Sequence, residues 1–161
     1  MKIALILLAI LTLGGCSSYG FHGKDPITGD ASESVKMGFW DATTLILWGV
    51  PYDRFRLELR ASGKKPETRW AVVIQCKNIN EGPALTISCD DEERCYSGTL
   101  EDMATMRYDL TDADVRQIAQ AKRVVVRIDH GARSDDATLQ DGQVAALRHL
   151  YKKRGNTPLE K

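Results

Sequence analysis

Asp129-His130, followed closely by Arg133, Asp135 and Asp136, is the most catalytic-looking group of residues in this chain. A carboxylate beside an imidazole can tune a general base near neutral pH. The group lacks the partner such a base needs. No Gly-x-Ser-x-Gly elbow is present, and triad members converge from separate elements rather than from one short stretch. A solvated polar loop leaving the apolar run Val124–Ile128 is therefore the better reading. A non-enzymatic binding module (a structural subunit, an inhibitor, or an immunity or exclusion factor) is therefore the expected function, and a hydrolase with a site around Asp129, His130 and Arg133 is the alternative.

Other chemistry is fainter still. His22, His130 and His149 are scattered, and neither His-x-x-x-His nor Cys-x-x-Cys occurs, so no metal site is expected. Asp90-Asp91-Glu92-Glu93 lacks the alternating ligands and central glycine of a calcium loop. With Arg94 it reads as a charged hairpin tip that keeps a turn soluble. No glycine-rich phosphate loop follows the N-terminal run, and no cofactor is predicted. Phe39, Trp40, Trp48, Tyr52 and Phe55 form an aromatic segment, of a kind found in cores, at membrane interfaces and at binding hot spots. Trp40, Trp48 and Tyr52, together with Asp91, Glu92 and Arg94, are the candidate interaction residues.

The elements that must position these residues follow from periodicity. Phe55, Leu57 and Leu59 alternate with charges through Arg54–Arg60, which marks a half-buried strand. Arg69–Cys76, Ala84–Cys89, Cys95–Leu100 and Thr105–Asp109 read as further strands separated by turn residues. Asp41–Pro51 fits a short helix or turn closed by Gly49, although Thr43–Trp48 is equally good strand material. The period changes after Thr111. Thr111-x-x-Asp114 is a capping box, with Val115, Ile118 and Ala119 on one helical face and Lys122 and Arg123 closing the helix. Val124–Ile128 is a buried strand. A second helix spans about Asp141 to Arg154, with Val144, Leu147, Leu150 and Tyr151 inward and Gly155 as its stop. The expected class is α+β: an antiparallel sheet or sandwich of about 5–6 strands, with two helices of the C-terminal half packed against it.

Composition narrows the function classes. The 161 residues carry 22 basic and 22 acidic side chains, mixed along the chain. No basic stripe interleaved with aromatics is present, so no nucleic-acid partner is expected. Hydrophobic residues make up 43% of the chain, enough for a real core.

The N-terminus carries an address. Lys2 precedes an uncharged apolar run, Ile3–Leu13, which ends in Leu13-Gly14-Gly15-Cys16. The run is too short to cross a bilayer, which takes about 20 apolar residues, and its layout is that of a secretory signal. Leu13-Gly14-Gly15-Cys16 resembles the lipobox of bacterial lipoproteins. The resemblance implies removal of residues 1–15, acylation of Cys16 and, with Ser17 rather than Asp next to it, residence in the outer membrane facing the periplasm. The membrane is then one partner through the lipid, and an envelope protein is the second. Residues 16–38 read as a flexible tether reaching about 25 Å, residues 39–155 as one domain and residues 156–161 as a frayed tail. With Cys16 acylated, one disulfide at most can form. Cys89–Cys95 is favoured, and Cys76–Cys89 is its rival.

Overall fold

The structure, a computed structural model, describes residues 17–41, 52–75, 83–131 and 133–159. In order, the elements are β1 (Ser17–Lys24), β2 (Ala31–Asp41), β3 (Tyr52–Ser62), β4 (Arg69–Gln75), β5 (Ala84–Cys89), β6 (Glu92–Tyr96), β7 (Thr99–Asp102) and β8 (Thr105–Leu110). Helix α1 (Asp112–Gln120), β9 (Val124–His130), β10 (Arg133–Thr138) and helix α2 (Asp141–Arg154) follow. One sheet runs β1-β2-β3-β4-β8-β7 and the other β10-β9-β5-β6. Every strand pairing described is antiparallel. The class is α+β, as the periodicity implies.

Strand alternation builds the core. Leu57 and Leu59 pair with Ile74 and Val72 on β4, and these pair in turn with Met106 and Tyr108 on β8. All six side chains are buried, on the same face because successive strand residues alternate sides. Leu85 and Ile87 on β5 and Val124, Val126 and Ile128 on β9 join the same cluster, as do Val115 and Ile118 of α1 and Val144, Leu147 and Leu150 of α2. Thr111 caps α1: its hydroxyl accepts from the Asp114 N–H at 3.1 Å while Asp114 Oδ2 accepts the Thr111 N–H at 2.9 Å.

Four expectations need correction. Residues 17–38 are no tether: β1 pairs with β2, and β2 pairs with β3. Val35 and Met37 are driven into the core opposite Leu59 and Leu57. The stretch Cys95–Leu100 is two strands in two sheets. Its break is at Gly98, where a Cβ would lie 2.6 Å from Tyr108 Cε1 and 2.7 Å from Met106 Cε, so only glycine fits as the chain crosses. Helix α1 stops at Gln120, short of Lys122 and Arg123. The tail does not fray through residue 159. Asn156 N–H donates to Asp112 Oδ1 at 2.9 Å, and Leu159 packs on the core.

Asp112 is the knot that holds this end. Its carboxylate also accepts Trp70 Nε1–H at 3.1 Å and Tyr151 O–H at 2.7 Å, and the two rings stack with centroids 5.7 Å apart. One side chain thus joins β4, α1, α2 and the tail. Burial works against its charge, but these donors outweigh it and hold the carboxyl below its ordinary range.

Candidate functional site

The charged turn is rigid rather than loose. Cys89 pairs with Glu92, which leaves the two-residue turn Asp90-Asp91 between β5 and β6. Asp90 sits at φ +54°, a left-handed conformation that aspartate tolerates. Its Oδ1 accepts the N–H groups of Lys122 and Arg123 at 3.1 and 2.9 Å, which fixes the tip to the segment after α1. Farther along, Gln117 Nε2 donates to Glu92 Oε2 at 2.6 Å, and Arg94 Nη1 donates to Asp114 Oδ1. The Asp114 that caps α1 is therefore also the anchor of Arg94. Burial opposes its charge, yet the bonds from Thr111 and Arg94 keep its carboxyl below the ordinary value.

Between this hairpin and α1 lies a groove of about 530 Å³. Asp91, Glu92, Arg94, Arg116, Gln117 and Gln120 line it. Asp91, Glu92 and Arg94, singled out from sequence, are thus brought together, and the helix supplies three partners that sequence reading did not name. Only spacing along α1 (116, 117, 120) could have signalled them. The groove also touches Cys89, whose thiol is buried and pushed up to about 11, first by desolvation and then by Asp90. A thiol that stays protonated at neutral pH is no nucleophile. The groove's lining presents charges and amides.

No Cys89–Cys95 bridge forms, and both thiols are free. The ladder gives the reason. Cys89 shares the buried side of β5 with Leu85 and Ile87, whereas Cys95 lies opposite Thr86 on the other side and is exposed. Hairpin parity separates them. Cys76 lies outside the described residues.

The aromatic candidates divide. Trp40 and Tyr52 stand at the adjoining ends of β2 and β3, where Trp40 pairs with Asp53 and Asp41 with Tyr52. Ser17 pairs with Met37 near that same end of the sheet, so β1 starts beside them. Trp48 and Cys16 lie outside the described residues. Asp129, His130 and Arg133 occupy a hairpin, not an irregular loop: His130 pairs with Arg133 and Asp129 with Ser134 across β9–β10. Gly131 turns the chain at φ +66°. Arg127 and Asp136 clamp the hairpin with bonds of 2.8 and 3.0 Å. Asp129 is not among the described residues that line the groove at α1.

Sequence reading also passed over a set of buried charges. Asp25, in the β1–β2 turn, is 1% exposed and accepts Arg107 Nη1–H at 3.1 and 2.9 Å through its two oxygens. Arg107 Nε donates to Asp109 at 2.8 Å. Arg60 donates to Glu58 at 3.2 Å and, across β4 and β8, to Glu101 at 2.9 Å. On sequence the charges of Arg54–Arg60 look like a solvent face. The β1–β2 turn reaches over to β8 and covers part of it. No protein-family model, curated protein or solved structure matches the chain.

Proposed function

We propose that this protein is a lipid-anchored, non-enzymatic binding module of the bacterial cell envelope, held in the outer membrane and facing the periplasm. Its partner is an envelope protein that engages the groove between the β5–β6 hairpin and α1, with the module acting as a structural subunit, an inhibitor, or an immunity or exclusion factor. The observation that carries this reading is the preorganisation of the groove. Glu92 and Arg94 are held by Gln117 and Asp114 before any partner arrives, which lowers the entropy lost on binding.

The anchoring half of the reading rests on the lipobox resemblance, and Ser17, the residue after its cysteine, already belongs to β1. An acylated Cys16 would then hold the domain against the bilayer without a spacer, with the Trp40 and Tyr52 end nearest the lipid. Residues 42–51 between those strands carry no charge and include Trp48, a composition suited to the headgroup region. Fractionation of a Cys16→Ala chain tests this half. The expected result is loss of the lipid mass and release from the membrane; unchanged mass and fractionation would refute it.

A further inference from the structure

We propose that the end of the large sheet away from Ser17 is a basic docking surface for the carboxylate-bearing peptides of the cell wall. The β1–β2 turn, the β3–β4 turn and the last turn of α2 meet there. Lys24, the last residue of β1, pairs with Ala31, and Ala31 O accepts the Gly63 N–H at 3.2 Å. The Gly63 carbonyl in turn accepts Arg154 Nη2–H from α2. This run of contacts gathers lysines from three stretches that lie far apart in sequence: Lys24, the pair Lys64-Lys65, and Lys152.

The charge left after local pairing points to the ligand. Lys153 is held by Glu33 at 2.7 Å and Arg69 by Asp30, while Asp25 is bonded to Arg107. Lys24, Lys64, Lys65 and Lys152 are exposed, and none of the four has an ion pair or side-chain hydrogen bond among the described residues. Of the acids in the two β-turns, Glu67 alone is in the same state among the described residues. Four unpaired ammonium groups beside one unpaired carboxylate attract anions, on a chain whose formal net charge is zero.

The arrangement selects among anions. A single small anion is best held by forked guanidinium donors, and Arg69 and Arg154 are turned instead to Asp30 and to the Gly63 carbonyl. Lysine ammonium groups on separate elements are point charges on flexible stems. They suit carboxylates strung along a polymer, where many weak contacts add. Glu67 and Lys64 share a groove of about 650 Å³, and wall peptides carry free amines as well as carboxylates, so both signs are matched. The membrane that would hold Cys16 is excluded by position. Ser17 and Lys24 are the two ends of one eight-residue strand, about 23 Å apart at about 3.3 Å per residue. An anchor at Cys16 therefore turns the lysines away from the lipid. That orientation rests on the anchoring reading, whereas the charge cluster does not.

Co-sedimentation of the full chain, in a non-ionic detergent, with purified peptidoglycan sacculi tests the proposal, and the intact mass of the same sample reads acylation at Cys16. The chain is expected to pellet with sacculi at about 0.1 M salt. It should be released at about 1 M, as the screening length falls from about 10 to about 3 Å. The triple change Lys24→Glu, Lys64→Glu and Lys65→Glu should weaken binding by about tenfold while leaving the melting temperature where it is. Sacculi whose carboxylates have been amidated should not bind the chain. Absence of pelleting, pelleting indifferent to the triple change, or undiminished binding to amidated sacculi would each overturn the proposal. Tighter, equally lysine-dependent binding to phosphatidylglycerol vesicles would assign the surface to a membrane and overturn it as well. An unmodified Cys16 in a chain that still pellets would overturn the anchoring reading alone.

Discussion

Asp25–Arg107 and Asp114–Arg94 are both aspartate–arginine pairs, and their surroundings differ sharply. The first lies inside, its carboxylate fully buried and its guanidinium 6% exposed. The second joins a carboxylate that is 8% exposed to a guanidinium that is 46% exposed. In the first pair every charge is consumed by a neighbour: Arg107 by two aspartates, Asp25 by Arg107 and the N–H groups of Ile27 and Thr28. In the second, Arg94 is fixed in place yet still open to a partner. Burial, not residue type, separates a pair that holds the fold from a pair that presents a surface.

The largest effect separating the two regions is expected from Asp25→Ala. It strands Arg107 in the interior with Asp109 alone, and should cost about 3 kcal/mol in urea unfolding, near the lower bound for breaking a buried pair. The double change Asp25→Leu with Arg107→Met should recover most of that loss, since apolar replacement of both partners is close to neutral. Arg94→Ala should leave the unfolding midpoint nearly where it is. Equal losses from Asp25→Ala and Arg94→Ala would erase the distinction.

A second, smaller loss is expected at Asp112, whose removal deprives Trp70, Tyr151 and Asn156 of one shared acceptor. Asp112→Ala should cost about 2 kcal/mol, read by the same unfolding curves. Acid titration then sharpens the contrast. Burial opposes the charge on Asp25, but Arg107, Ile27 and Thr28 together hold its carboxyl below the ordinary 3.8. A folded value below the unfolded one means that its stabilisation is complete above about pH 5 and is lost as the pH falls through the folded value. Melting temperature should therefore be flat from neutral pH to about pH 5, then drop. Asp25→Asn should start lower and lose part of that acid slope; an unchanged slope would remove Asp25 from the account.

The smallest effect concerns thiols. Thiol labelling followed by peptide mass spectrometry should modify exposed Cys95 in the folded protein and buried Cys89 only on unfolding. A Cys89–Cys95 crosslinked peptide would contradict the hairpin register.

Where local rules act alone, the sequence was readable. The Thr111–Asp114 capping box, the alternation through Phe55, Leu57 and Leu59, and the α2 face of Val144, Leu147 and Leu150 all stand as the pattern implies. Residues 17–38 were misread because Ser, Gly and Lys dominate them. The alternation of Val35 and Met37 about Lys36 was nevertheless present, and the Asp25–Asp30 segment that looked like linker is a hairpin turn. The polar strand Arg133–Thr138 follows no apolar pattern because it is an edge. Asp91, Glu92 and Arg94 were legible as a charged tip. Their partners Asp114 and Gln117 lie 20 and 25 residues away, and Asp25 lies 82 residues from Arg107. Tertiary contact alone brings such pairs together.

The proposed engagement of an envelope partner by the groove between the β5–β6 hairpin and α1 is open to direct test. In-cell photocrosslinking from position 91, in otherwise unchanged protein and in the charge-reversed Glu92→Lys and Arg94→Glu variants, tests it most directly. A discrete crosslinked protein that either reversal abolishes is expected, while crosslinking from exposed position 136 on the β9–β10 hairpin should yield none. The same products from positions 91 and 136, or a product at 91 indifferent to both reversals, would contradict it.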